Sequence, residues 1–212
     1  MNQIFIVNLT KKYKKKTIIK NISLTISGDK YNFLIGSNGA GKTTFIKCLL
    51  GEVKYEGKIK KDNLTISYAP ENLVMPDYMT MYDFLKLLYS NKVKSNKLID
   101  NNIMYYLELF AIKDYKDMLI CKLSKGTKQK IILIQALFCN CDIYIFDEPF
   151  NGLDEEARKI FVAELVKIKK SKKMIIISTH YIKEYNIRLK RIFNFPLVWK
   201  YINSIGNIYL VR

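Results

Sequence analysis

The sequence predicts an α/β fold with a mostly parallel core sheet and a helical insert. Two observations predict it. Short strand-like runs occupy much of the first third of the 212 residues, and from position 127 onwards helical patterns alternate with fully apolar strands. Strands that are apolar on both faces are typical of parallel sheets covered by helices, whereas half-buried strands alternate between apolar and polar residues. The length fits one domain, which we place at residues 1–212.

The strand-like runs open the chain. Ile4 and Ile6 belong to a first apolar stretch, residues 22–26 alternate with polar neighbours, and residues 31–35 form a short apolar run. A helical pattern begins at Gly41 and stops at Gly51, a residue that commonly ends helices. Strand character returns at positions 64–69.

The central part of the chain reads as helices. Thr80 followed by Asp83 resembles a capping box, and a second helical pattern covers residues 97–110. We therefore expect a helical subdomain at about residues 72–123. An apolar helix (127–138), a strand (143–146), a helix from Asp154 to about position 170 and a strand (174–177) follow.

Composition restricts the class of protein. No stretch of about 18 uncharged apolar residues exists, so we expect no membrane-spanning helix, and the first residues do not follow the order of a signal peptide. Four cysteines without a CxxC pair, and a single histidine, make a zinc site improbable. The net charge of +17 is compatible with a nucleic acid, an acidic lipid surface or a polyphosphate as partner. A genome rich in A and T would also produce it.

The strongest motif follows the apolar run at 31–35. It matches G-x-x-x-x-G-K-[ST] and comprises Gly36, Ser37, Asn38, Gly39, Ala40, Gly41, Lys42 and Thr43, with Thr44 directly after it. Glycines let the backbone wrap around phosphate oxygens, Lys42 adds a positive charge at the β- and γ-phosphates, and Thr43 offers a hydroxyl to Mg²⁺. A glycine-rich turn without a ligand is the weaker interpretation, because the motif lies between a strand and a helix.

Two further strands deliver polar residues at their ends. Asp147 and Glu148 follow the strand at 143–146, and His180 follows the one at 174–177. At this edge Asp147 can hold Mg²⁺, and Glu148 can polarise an attacking water. Alone, each would more often be a solvated turn or a structural histidine. Together with the phosphate-binding motif they predict a site for a phosphate group and Mg²⁺.

Read in order, these motifs resemble the ATP-binding-cassette (ABC) ATPases, which power membrane transporters. The resemblance extends along essentially the whole chain. It implies a P-loop NTPase fold with an N-terminal antiparallel β subdomain. Residues 123–129 match the family signature, usually Leu-Ser-Gly-Gly-Gln, although Lys125 and Thr127 depart from it. Glu71 stands where the family carries a glutamine that senses Mg²⁺ and the transmembrane subunit.

The resemblance also implies residue roles. Tyr13 would stack on adenine, and His180 would contact the γ-phosphate. Ser124 and Gly126 would receive the γ-phosphate of ATP bound to a second copy, and residues 151–154 would link the two sites. Glu148 would act as the base. Mg²⁺ would be bound by Thr43, Glu71 and Asp147.

The implied function is ATP hydrolysis in a head-to-tail dimer that drives a separate membrane-spanning permease from the cytoplasmic face of the membrane. Lysine-containing signatures occur in bacterial exporters of drugs and peptides, which favours export. ATP and Mg²⁺ are the expected cofactors, with no specific nucleic acid and no membrane insertion of the chain itself. The alternatives are a nucleic-acid-associated cassette ATPase, which the charge favours, and a nucleotide-binding module without turnover.

Overall fold

The computed structural model describes residues 2–90, 96–180 and 182–196. Its contacts divide the chain into two units. The first unit contains residues up to 66, residues 141–148 and residues from 168 onwards; the second contains residues 67–140 and 149–167. Residues 91–95 of the predicted helical subdomain, and the end of the predicted domain from 197, lie outside the described residues. The domain boundaries stay predictions.

An antiparallel sheet in the order β2-β1-β4 belongs to the first unit. Its strands are β1 (Gln3–Tyr13), β2 (Lys16–Ser27) and β4 (Glu56–Lys61). Alternate residues of β1 and β2 are buried, among them Ile4, Ile6 and Ile26, so that one face of the sheet forms a core. The sequence reading missed β4, because its residues are mostly charged and carry no clear alternation.

The second sheet has the order β5-β6-β7-β3-β8. Its strands are β3 (Tyr31–Ile35), β5 (Ile66–Ala69), β6 (Ile143–Asp147), β7 (Met174–Thr179) and β8 (Lys190–Asn194). Strand β3 pairs in parallel with β7 and β8, and β7 pairs in parallel with β6. Every residue of β6 and β7 is buried. This confirms the α/β fold and the parallel core sheet, and it brings the carboxyl ends of β3, β6 and β7 to one edge.

Helix α1 (Lys42–Leu50) follows β3 in the first unit. The helices of the second unit are α2 (Met81–Ser90), α3 (Asn96–Leu109), α4 (Lys125–Leu137) and most of α5 (Glu155–Lys170). One half of the predicted capping box is present, since the Asp83 amide donates to the Thr80 hydroxyl; the Asp83 carboxylate accepts from that hydroxyl, in place of the Thr80 amide that a full capping box would use. Helix α2 also buries the Tyr89 phenol, and this burial raises the pKa of Tyr89 well above its ordinary value.

Candidate active site

The phosphate-binding loop joins β3 to α1. Gly39 and Gly41 adopt left-handed backbone angles, with φ of +78° and +100°. A residue with a side chain would be strained there, so these glycines are required by the turn. Ser37, Asn38 and Gly39 are exposed, whereas Thr43 and Thr44 are half-buried in the first turn of α1. No side chain caps α1, which leaves its first N–H groups directed at the loop.

Gly36 is required for a different reason. A Cβ atom at this position would lie 2.7 Å from the Phe195 carbonyl oxygen and 2.8 Å from Phe195 Cβ. The Phe195 amide donates to the Ile35 carbonyl at the end of β3, and its ring packs edge-on against Phe45 of α1. Phe195, which follows β8, therefore packs against the phosphate-binding loop and α1. The sequence motif did not indicate this contact.

Lys42 is buried in this loop. Its ammonium group donates to the carbonyl oxygens of Gly36 (2.6 Å) and Ser37 (3.2 Å). It also lies 3.0 Å from Glu148 Oε1, and both side chains are only 6% exposed. Burying a charge costs free energy unless the charge is paired. The pairing of Lys42 and Glu148 meets this requirement when no phosphate is bound.

Asp147 and Glu148 lie at the carboxyl end of β6, as predicted. Glu148 has a left-handed backbone with φ of +47°, and its amide donates to the Ser178 carbonyl (3.2 Å) and hydroxyl (2.9 Å). The Ser178 hydroxyl in turn donates to Asp147 Oδ1. Asp147 Oδ2 is buried without a hydrogen-bond partner in the described part of the chain. A free carboxylate oxygen of this kind fits a Mg²⁺ ligand.

The sequence reading missed Ser178. It is the residue opposite Asp147 in the β6–β7 register, and it holds both carboxylate residues in place. Polar residues at the end of the apolar run of β7, just before His180, are the signal that could have identified it.

His180 comes to the same edge. Its Nδ1 lies 2.9 Å from Glu148 Oε2, so Glu148 lies between Lys42 and His180. The imidazole also lines an open cleft of about 500 Å³ together with Ile35, Gly36, Ser37 and Asn38. The structure thus brings together the phosphate-binding loop, both carboxylates and His180 in one unit.

Tyr13 lies at the end of β1 and is 43% exposed. The Lys11 ammonium sits 4.3 Å from the centroid of its ring. The same hairpin reaches the phosphate-binding loop, because a Cβ atom at Gly41 would lie 2.9 Å from Ile18 Cγ2 of β2. An exposed ring on this hairpin is compatible with stacking on a flat base.

The signature residues lie in the second unit. Ser124 is the N-cap of α4, and its hydroxyl oxygen accepts from the Thr127 amide at 3.1 Å. This confirms the predicted cap. A Cβ atom at Gly126 would lie 2.9 Å from the Gly152 carbonyl oxygen, so the two loops approach closely. Lys125 is exposed beside them.

Glu71 also lies in the second unit. Its Oε1 accepts from Asn151 Nδ2 at 3.2 Å. Both residues line a cavity of about 190 Å³ next to the start of α4, which Asp77, Lys125 and Lys128 line as well. The role of Glu71 as a Mg²⁺ ligand stays a prediction.

Within the described ranges, no helix is both long enough and apolar enough to span a membrane.

Comparison with known proteins decides the family. The sequence profile of the ABC transporter family matches residues 19–151, more than half of the chain. The chain belongs to the ABC transporter family. An ABC transporter ATP-binding protein of Mycoplasma pneumoniae is 32% identical over 183 residues, and these cover 81% of this chain and 56% of that protein. The zinc import ATP-binding protein ZnuC of Rickettsia conorii is 37% identical over 158 residues, covering 73% and 65%. The chain thus spans less than two thirds of the length of each of these two relatives.

A solved structure of the ATP-binding subunit of an ABC transporter has the same fold. Its TM-score is 0.81 at 23% identity, over 92% of this chain and 88% of that one. The fold class predicted from the resemblance, a P-loop NTPase, is therefore confirmed. The chain thus contains the ATP-binding domain of the ABC transporter family.

Proposed function

We propose that this cassette binds and hydrolyses ATP as a head-to-tail dimer. ATP hydrolysis would drive a separate membrane permease, with the dimer at the cytoplasmic face of the membrane. The observation that carries the proposal is the cluster formed by the buried pair Lys42 and Glu148 and the exposed His180 beside the phosphate-binding loop, with distances of 3.0 and 2.9 Å. Such a cluster combines a phosphate-binding cation with a candidate base. A module that only bound nucleotide would have no need of it.

The first step is binding. The γ-phosphate of ATP offers Lys42 a new anionic partner, which releases Glu148 from its ion pair with that lysine. The uncapped N-terminus of α1 adds backbone N–H donors for the β-phosphate. Mg²⁺ would be held by Asp147 and the Thr43 hydroxyl, and when bound it neutralises charge on the phosphates. The exposed Tyr13 ring would cover the adenine.

The second step is hydrolysis. Once Lys42 contacts phosphate, Glu148 is free to accept a proton from an attacking water. Its backbone stays fixed by the two hydrogen bonds to Ser178, so the carboxylate keeps its direction. His180 touches Glu148 and also lines the open cleft, which supports a role in contacting the γ-phosphate.

The signature loop supports the proposed dimer, because it offers a site for an anion from another molecule. Ser124 and Gly126 lie at the start of α4, where N–H groups and the helix dipole favour an anion. We assign this site to the γ-phosphate bound by a second copy of the chain.

The permease would contact the loop after Glu71. Val74 and Tyr78 of this loop are 96% and 93% exposed, and the cavity of about 190 Å³ lies in the same unit. Lys125 in the signature favours export, whereas the related ZnuC protein is named a zinc importer. We therefore assign no direction of transport.

Glu148→Gln tests the proposal most simply. Glutamine keeps the shape of Glu148 and can still hydrogen-bond through its amide, but it cannot accept a proton. We expect a loss of turnover of about 10²–10⁴-fold, the range for a general base. ATP affinity should be retained, because the variant also removes the anion that competes for Lys42.

The matched control is Glu156→Gln, which removes an exposed carboxylate from the first turn of α5. It should hydrolyse ATP like the unmodified protein. Wild-type turnover in Glu148→Gln would show that another group is the base.

A further inference from the structure

The outer face of the antiparallel sheet is amphipathic. Alternation along β1 turns Ile4 and Ile6 into the core, whereas Phe5 and Val7 point outward and are 44% and 48% exposed. Two neighbouring apolar side chains are therefore presented to solvent on one strand.

Lysines flank this apolar pair. In the register of β1 with β4, Lys60 lies opposite Phe5 and Lys58 opposite Val7. Residues directly opposite each other in an antiparallel pair share a face, and both lysines are exposed. Among the described residues, no carboxylate forms an ion pair with either of them. We call these four residues, Phe5, Val7, Lys58 and Lys60, the outer sheet face.

Basic residues outnumber acidic residues more strongly in this sheet than in the whole chain. Strands β1, β2 and β4, with the turn at 14–15, contain nine lysines, seven of them exposed once the buried Lys11 and the half-buried Lys61 are set aside, and a single carboxylate, Glu56. That carboxylate lies 3.6 Å from Lys12, away from Lys58 and Lys60 in the strand register. An A/T-rich genome raises lysine content throughout a chain, but it does not remove the acidic residues from one sheet. The surface is thus complementary to a polyanion.

We propose that the outer sheet face binds the anionic surface of a lipid bilayer, independently of any permease. Lysines beside exposed Phe and aliphatic residues suit the membrane interface, where the apolar groups enter the headgroup boundary and the ammonium groups reach the phosphates. Val7 argues for lipid over nucleic acid, because a valine offers no π-face on which a base can stack. The contact is at the headgroup level and spans nothing.

Co-sedimentation with vesicles tests the proposal on the whole protein. We expect binding to phosphatidylcholine vesicles that contain phosphatidylserine, little binding to phosphatidylcholine alone, and release by high salt. Lys58→Gln with Lys60→Gln should weaken the binding about 30-fold, since each lysine near an anionic surface contributes about fivefold. Lys97→Gln with Lys122→Gln removes the same charge from exposed positions elsewhere and should change the binding far less. Equal binding by the two double variants, or no binding by the wild type, would overturn the proposal.

A second arm separates lipid from nucleic acid. Phe5→Ser should weaken vesicle binding while leaving the affinity for soluble heparin unchanged, because only a bilayer offers a place for the apolar side chain. Binding of single-stranded RNA that is tighter than vesicle binding, and that depends on Lys58 and Lys60, would transfer the surface to nucleic acid and overturn the lipid assignment. ATP turnover should be normal in Lys58→Gln with Lys60→Gln, so this test is independent of the ATPase proposal.

Discussion

The phosphate-binding edge of the first unit and the start of α4 in the second unit differ in how their charges are balanced. At the first, Lys42 is buried and paired with Glu148, which also contacts His180. At the second, the first turn of α4 carries Lys125 and Lys128 and no acidic residue.

A helix N-terminus favours negative charge, and α5 follows this rule with Glu155 and Glu156 in its first turn. Helix α4 breaks it. The phosphate-binding edge therefore pairs its lysine with a carboxylate of the same chain, whereas the first turn of α4 carries two lysines and no acidic residue. This difference supports a site that is completed by an anion from another molecule, which we identify with the ATP of a second copy.

The largest effect on ATP binding and turnover is expected at the phosphate-binding edge. Lys42→Ala should weaken ATP binding at least about a hundredfold, because two charge-assisted hydrogen bonds to phosphate, at about 1.5–3 kcal/mol each, are lost. Turnover should disappear with it. Isothermal titration calorimetry measures the affinity. Lys47→Ala, the same change on the same helix, should bind ATP normally, and an unchanged affinity in Lys42→Ala would contradict the role of the loop.

The second-largest effect is expected at the start of α4, where a substitution should stop turnover without preventing ATP binding. Ser124→Arg fills the space in front of α4, so the phosphate of a second copy cannot approach. ATP binding to one chain should stay nearly intact, while turnover should fall about a hundredfold or more, the cost of losing one electrostatic donor site. Ser90→Arg, which adds the same side chain at the end of α2, serves as the control in the same turnover assay. Full turnover in Ser124→Arg would mean that α4 takes no part in hydrolysis.

The smallest effect is expected at helix α5, whose first turn carries acidic residues as the helix dipole favours. The Asp154 carboxylate lies 2.9 Å from the Lys130 ammonium and accepts from the Ala157 amide at 2.7 Å, and these partners hold the pKa of Asp154 below its usual range. Because the Asp154 carboxylate accepts from an amide in the first turn of α5, as an N-cap side chain does, Asp154→Ala should cost about 1 kcal/mol of unfolding free energy.

Because the pKa of Asp154 is depressed in the folded protein, its stabilisation is present above the unfolded pKa of about 3.9 and is lost as the pH falls through the folded value. Urea unfolding at neutral and acidic pH measures both effects. Asp154→Asn keeps a capping oxygen but loses the charge, and it should be less destabilised than Asp154→Ala. Equal losses in the two variants would show that the cap contributes nothing.

The sequence predicted what depends on local pattern. The phosphate-binding loop, the carboxylates at the end of β6, the N-cap Ser124 and the apolar strands are each encoded within a few neighbouring residues. It did not predict Ser178 or Phe195, which act through pairing and packing between distant segments. The mostly polar strand β4 and the short strand β8 were also missed, because their residues carry little periodic signal and pairing with a neighbouring strand defines them.

The proposed hydrolysis site takes the phosphate-binding edge from one chain and the start of α4 from another. This arrangement is tested most directly by mixing two inactive variants, Lys42→Ala and Ser124→Arg, and measuring ATP turnover. In a mixed dimer, the intact loop of one chain meets the intact signature of the other at one of the two sites. Equal amounts should therefore recover about a quarter of the wild-type turnover, as expected for random pairing in a two-fold symmetric dimer. A mixture as inactive as either variant alone would contradict this arrangement.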